Sequence, residues 1–356
     1  MVQIAIKSRI YLDHAATTPA LPAAIAAMAR TAAVVGNPSS VHAGGRAANA
    51  IVEAARDAVA GWAGCAQDAV IFTSGGSEAL ALALNTPWRV LAGATEHSAV
   101  LAARPDATLL PVTADGVIDL AALAAALQTG PALVAVQHAN NETGVIQPIE
   151  TIADLVRAAG GRLLVDAVQS AGKLPLPAAD FVAVSAHKLG GVPGTGALIA
   201  RDPALLLAVQ RGGGQERGLR GGTANLPGIA AFAASIAAPR DWAGIATLRD
   251  ALEARLGATV HGAGAPRLPN ISNIALPGVA AASQVMALDL AGFMISAGAA
   301  CSSGKVAASH VLAAMGVAAA GEAIRVSLSP DTNAADTAAF CDAWAVMAVR
   351  LQRRAA

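Results

Sequence analysis

The sequence predicts an α/β fold: a mostly parallel central sheet sandwiched by helices, with a smaller α+β domain after it. Short, continuously apolar runs alternate with alanine-rich helical stretches to about residue 240, the pattern of a parallel sheet covered on both faces. Several of those runs end abruptly in polar residues, as strands do where they reach a sheet edge. After Pro239 the chain changes character, which marks the start of a second unit.

Taken in order, strands are expected at 70–72, 90–91, 108–112, 133–136, 163–165, 181–184 and 197–200, with helices between them, for example at 46–62 and 149–159. Beyond residue 239 come a helix at 242–256, short strands at 271–275 and 323–328, and a closing helix at 334–353. The expected division is a large domain at 16–240 and a small domain formed by 1–15 and 241–356.

Composition narrows the function. The 356 residues carry 24 basic and 24 acidic side chains, and only 13% are charged, so neither a nucleic-acid stripe nor a polybasic membrane patch is expected. Hydrophobic content is 55%, but alanine dominates it and no uninterrupted membrane span stands out. The first 20 residues lack the apolar core and cleavage pattern of a secretory signal, so a cytoplasmic location is expected. Three cysteines without CxxC spacing fit neither structural zinc nor a disulfide framework, and no metal site is expected.

The stretch 163–191, LLVDAVQSAGKLPLPAADFVAVSAHKLGG, carries the most chemistry. Its two apolar runs read as buried parallel strands, whose polar ends share one edge of the sheet, where ligands of open α/β sheets bind. Asp166 and Gln169 follow the first run; Ser185, His187 and Lys188 follow the second. An amine and a carboxylate delivered together suit pyridoxal phosphate (PLP): Lys188 would join the cofactor's aldehyde, Asp166 would hold its ring nitrogen protonated, and Ser185 and His187 would donate to its phosphate. A buried run ending in lysine needs such a reason, because an unpaired buried ammonium is costly.

Other motifs admit two readings each. TSGGSE at 73–78 opens a helix after a strand, which suits a phosphate at Gly76 and Ser77 or simply a capped helix start. His97 reaches the same edge and would stack on a cofactor ring, or is a loop histidine. Asn141, in a polar cluster after a strand, points into a site or forms a turn. The loop GGGQERGLRGGT at 212–223 would present Arg217, Arg220 and Thr223 to a phosphate, or is merely flexible. Arg325, on a strand of the second unit, suits a bidentate grip on a carboxylate, or guards a sheet edge. Cys301 lies among small residues in ISAGAACSSGKVAASH, an exposed setting, whereas Cys65 and Cys341 lie in alanine-rich helical surroundings that read as structural.

These motifs together resemble the cysteine desulfurases, a branch of the fold type I PLP enzymes. The resemblance runs nearly end to end through YLDHAATTP at 11–19, GNPSSVHAGGR at 36–46, FTSGGSE at 72–78, TEHSAV at 95–100, HANNETGVIQP at 138–148, VDAVQSAGK at 165–173, SAHKLGG at 185–191, GGGQERGLRGGT at 212–223 and AACSSG at 299–304. It implies that Lys188 carries PLP, with Asp166 on the pyridine nitrogen, Gln169 on the ring hydroxyl and His97 stacked on the ring. Gly76, Ser77, Ser185, His187 and, from the second subunit of a homodimer, Thr223 would hold the phosphate. Asn141 and Arg325 would bind the carboxylate side of L-cysteine. Cys301 would take the sulfur as a persulfide, releasing alanine, and pass it to a protein acceptor serving iron-sulfur cluster assembly or thiolation. The length of 301–310 resembles the branch that hands sulfur to protein acceptors. A selenocysteine lyase or aminotransferase of the same fold, and a low-activity sulfur-carrier subunit, are the competing readings. The chain departs from the family's usual pattern at Ala79, Leu80 and Ala81, at Val192 and Pro193, and at Gln215. A chain ending at Ala356 is also expected to lack the docking tail of longer members.

Overall fold

The computed structural model describes residues 9–238, 240–298 and 308–355. After β1 (Ile10–Tyr11), the strands β2 (Val70–Thr73), β3 (Val90–Gly93), β4 (Thr108–Leu110), β5 (Leu133–Gln137), β6 (Arg162–Asp166), β7 (Phe181–Ser185) and β8 (Gly196–Ala200) follow. β2 to β8 make one seven-stranded sheet in the order β2, β8, β7, β6, β5, β3, β4. Strands β3 to β7 run parallel, while β8 is antiparallel to both β7 and β2, so the sheet is mostly parallel.

Both faces of this sheet are covered at its centre, which is why the interior positions of β5, β6 and β7 are all apolar. Along β5, Val134 and Val136 pack into one core with Val52, Val165 and Phe232, while Leu133 and Ala135 pack into the other with Ile71, Leu80 and Leu164. The expected strand at 108–112 ends at Leu110, because Pro111 has no N–H for the ladder. The helix expected at 46–62 spans Ala43–Ala63, capped by the His42 ring accepting from the Gly45 N–H and ended by Gly64 at φ 64°. Cys65 therefore follows that helix instead of lying within it, whereas Cys341 is buried in the helix Ala334–Ala355.

A separate apolar cluster, including Leu12, Ile274, Ile324, Phe340 and Trp344, supports β9 (Ile271–Ala275), β10 (Phe293–Met294), β11 (Ser296–Ala297) and β12 (Ala323–Ser327). β12 lies between β11 and β9, antiparallel to both, and β1 pairs parallel with β10. The first described strand of the chain thus belongs to the late strands, and residues 12–17 cross from there to the large sheet.

The glycine loop 212–223 is held by ion pairs. Arg56, on the helix Ala43–Ala63, makes bonds of 2.8 and 2.9 Å to the two carboxylate oxygens of Glu216, and Glu216 also accepts the Phe72 N–H at 2.9 Å. Glu216 and Arg217 have φ of 47° and 57°, a left-handed conformation uncommon outside glycine. Arg217 donates to the carbonyls of Asp68 and Val70, and Arg220 pairs with Glu78. Both arginines are thus engaged within the chain.

The side chains of Arg56 and Glu216 are 5% and 7% exposed. Glu216→Ala is therefore expected to lower stability by about 3–5 kcal/mol, the effect of stranding a buried charge. Asp154→Ala, which breaks the solvent-exposed pair with Arg157, should change it by no more than about 0.5 kcal/mol. Urea unfolding midpoints measure both, and equal effects would contradict the assignment.

Candidate active site

The carboxyl ends of β2, β3, β5, β6 and β7 lie on one edge of the sheet. From β3 the chain steps outward to β4 and then returns to build β5, β6 and β7 on the other side, so a topological switch point falls between β3 and β5. His97 follows β3, Asn141 follows β5, Asp166 ends β6, and Ser185, His187 and Lys188 close β7 and the single turn after it. Gly76, Ser77, His97, Asn141, Asp166, Gln169, Ser185, His187, Lys188 and Arg325 all line one cavity of about 290 Å³.

Lys188 Nζ donates to the carbonyl oxygens of Ala15 and Ala16, the latter at 2.7 Å. Asp166 is buried and accepts the Val168 N–H at 2.9 Å. Burial pushes its carboxyl up from the ordinary range, while that N–H and the nearby His97 and Lys188 pull it down. Gln169 donates Nε2 to the Ala15 carbonyl at 2.8 Å, and its Oε1 is buried with no partner among the described residues. His97 caps the helix Ser98–Ala103 by accepting the Ala99 N–H on Nδ1 at 3.1 Å, which leaves the proton of a neutral ring on Nε2. His187 is 3.0 Å from Thr17 Oγ1 through Nδ1, and burial lowers its pKa to about 4, so the ring is neutral at pH 7.

Arg325 reaches the cavity from β12. It is 2% exposed, pairs with Asp13 Oδ1 at 2.8 Å, donates to the Asn141 carbonyl at 3.0 Å, and has a buried Nε without a partner among the described residues. Asp13 also accepts from Ser296 Oγ at 2.7 Å. Gly76 begins the helix Gly76–Leu84, whose first N–H groups favour an anion. A Cβ at position 76 would lie 2.5 Å from Val168 Cγ2, so glycine allows this close approach.

Two predicted residues are not brought into this cavity. Thr223 is exposed and lines a smaller hollow of about 90 Å³ with Ser74, Gln215 and Arg220. Cys301 lies outside the described residues. Conversely, sequence reasoning gave no role to Asp13, to the carbonyls of Ala15 and Ala16, or to two buried acids, Glu96 and Glu142. Asp13 ends a short apolar run and the two acids adjoin His97 and Asn141, but nothing local in the sequence records what each of them contacts.

The site fits PLP on its own terms. It offers a helix N-terminus for a phosphate, a buried acid for a protonated ring nitrogen, an unpartnered buried acceptor at Gln169 for a ring hydroxyl, and an amine at Lys188.

Comparison with known proteins points the same way. A family model described as aminotransferase class-V matches residues 10–340. A cysteine desulfurase of Cereibacter sphaeroides is 42% identical over 358 residues, covering 92% of this chain and 92% of that protein. An IscS-like cysteine desulfurase of Mycobacterium tuberculosis is 37% identical over 97% of this chain and 98% of its own length. Among solved structures, a NifS-like protein from Rickettsia africae superposes with a TM-score of 0.89 at 30% identity, covering 95% of this chain and 99% of that one.

His14, beside the cavity-lining Ala15, gives a pH prediction. Burial lowers its pKa from 6.5 to about 4, so between those values the unfolded chain binds a proton that the folded chain refuses. Stability should therefore fall as pH drops from 6.5 towards 4, with His14 accounting for a loss on the order of 3 kcal/mol. His14→Asn should flatten this part of the profile relative to the parent in urea titrations at several pH values; parallel profiles would refute it.

Proposed function

The chain belongs to the aminotransferase class-V family and, within it, to the cysteine desulfurases, and from that premise we propose how its own residues perform a PLP-dependent desulfuration of L-cysteine. The observation that carries the reading is the meeting of an amine, a buried acid and a buried guanidinium in one cavity. Lys188 is the residue that PLP joins. Asp166 holds the ring nitrogen, Gln169 the ring hydroxyl, and His97 lies against the ring. Gly76, Ser77, Ser185 and His187 bind the phosphate, and a second copy of the chain completes it with Thr223. Bound there, PLP supplies an electron sink that labilises bonds around the α-carbon of an amino acid.

The protein's part is binding and proton handling. Arg325, held by Asp13, receives the substrate carboxylate together with Asn141. Lys188 Nζ and His97 Nε2 are the groups placed to move protons at the α-carbon and at the departing sulfur. The Cys301 thiol accepts that sulfur: the Cβ–S bond of cysteine breaks as an S–S bond forms, and L-cysteine plus thiol become L-alanine plus persulfide. The persulfide then passes to a protein acceptor. This site lies between the large unit, 16–240, and the small unit of 1–15 and 241–356. The proposed setting is a cytoplasmic homodimer; among the described residues no helix is long and apolar enough to cross a membrane.

The test is alanine and sulfide release from L-cysteine with added reductant. Cys301→Ser should reduce turnover roughly 1,000-fold or more while retaining PLP absorbance, and Lys188→Ala should lose both turnover and the native absorbance. Full activity in Cys301→Ser would remove it as the nucleophile.

A further inference from the structure

Glu142 is a buried acid that the roles above do not use. It directly follows Asn141 in the turn after β5 and is 2% exposed. Its N–H donates to Asn140 Oδ1 at 2.8 Å, and its carbonyl accepts from Asn273 Nδ2 on β9 at 3.4 Å. Its Oε2 accepts from Ser309 Oγ at 2.5 Å. Gly298 packs on the same oxygen: a Cβ built there would overlap Oε2 and lie 3.5 Å from Ser309 Cβ, so a side chain at 298 forces the carboxylate to move.

One carboxylate thus meets Gly298 and Ser309, the residues flanking the stretch that contains Cys301. Ser309 carries that attachment forward, because its hydroxyl also accepts the Leu312 N–H at 3.0 Å and caps the helix His310–Ala314. His310 Nε2 is 3.0 Å from the carbonyl of Glu96, next to His97. On its other side, Glu142 adjoins the Asn141 carbonyl that accepts from Arg325. The acid is wedged between the turn assigned to substrate binding and both flanks of the thiol-bearing stretch.

Resting on the assignment of Cys301 as sulfur acceptor, we propose that Glu142 is a positioning residue that fastens Gly298 and Ser309 to the Asn141 turn and thereby sets how well the Cys301 thiol is presented to the substrate sulfur. Misplacing a reacting group by about an ångström costs on the order of 100-fold in rate, whereas binding of cysteine through Arg325 and Asn141 does not pass through this contact.

The PLP-loaded enzyme tests this with Glu142→Ala, Ser309→Ala and Gly298→Ala, reading kcat for alanine release and, separately, the cysteine Kd from the change in cofactor absorbance. Each variant is expected to lose roughly 10- to 100-fold in kcat with Kd changed less than about twofold. Glu142→Gln, which keeps an acceptor for Ser309, should recover most of the rate. The pair Glu142→Ala with Gly298→Ala should be no slower than Glu142→Ala alone, because the clash and the anchor are the same contact. A normal kcat in Glu142→Ala and Ser309→Ala, equal losses in kcat and binding, or multiplying losses in the pair would overturn the proposal. A Cys301→Ser variant run alongside separates the two levels: if it releases alanine at the parent rate, the premise fails first, whatever Glu142 does. If Glu142→Ala does not fold, Ser309→Ala and Gly298→Ala decide the matter by the same criteria.

Discussion

A buried cation must be given acceptors, and residues 13–17 supply them to most of the cavity. The carbonyls of Ala15 and Ala16 take the Lys188 ammonium, the Ala15 carbonyl also takes the Gln169 amide, Asp13 takes the Arg325 guanidinium, and Thr17 faces His187. Arg325 is 2% exposed and Lys188 is half-buried, and leaving a cation short of acceptors in such a place costs up to several kcal/mol. The same segment is tied to β12 at its other side, where the Ala15 N–H donates to Ser327 Oγ at 2.9 Å and the Ser327 N–H donates to the Leu12 carbonyl at 2.8 Å. It is therefore the strap that fixes the late strands, and Arg325 with them, at a set place over the large sheet.

Much of this was legible in the sequence, for reasons that differ by element. The strands of the large sheet announce themselves because burial on both faces demands continuous apolar runs, and their polar ends mark the ligand edge directly; Asp166, Lys188 and Asn141 follow from that logic. Arg325 was legible as a lone charge on an apolar strand. The partner that holds it, Asp13, was not, because 312 residues separate the two and no local pattern records the pairing. Glu142 was hidden for a related reason: beside two asparagines it reads as turn chemistry until Ser309 and Gly298 are seen against it.

The glycine loop shows the limit from the opposite direction. Six residues of GGGQERGLRGGT are glycine, which locally reads as freedom. Yet its charged residues are all engaged: Glu216 by a helix 160 residues earlier, Arg217 by carbonyls at the start of β2, and Arg220 by Glu78. The left-handed backbone at Glu216 and Arg217 costs on the order of 1–3 kcal/mol apiece, and the two-pronged contact with Arg56 offsets it. The loop is thus a braced platform presenting Thr223 outward, although its composition alone describes a tether.

The remaining constraint is how three buried acids coexist at the ends of neighbouring strands. Glu96, Glu142 and Asp166 follow or end β3, β5 and β6, and burial pushes all three upward. Their surroundings then divide them. Among the described residues Glu96 receives one hydrogen bond, from the Gln137 N–H at 2.9 Å, and repulsion from Asp166 adds to its burial, so it is raised well above the ordinary range. Glu142 is eased by Ser309 and by more distant cations. Asp166 alone has both His97 and Lys188 acting to lower it. Repulsion from Asp166 thus adds to the burial that disfavours charge on Glu96, whereas His97 and Lys188 favour the charged form of Asp166, the acid that lines the cavity.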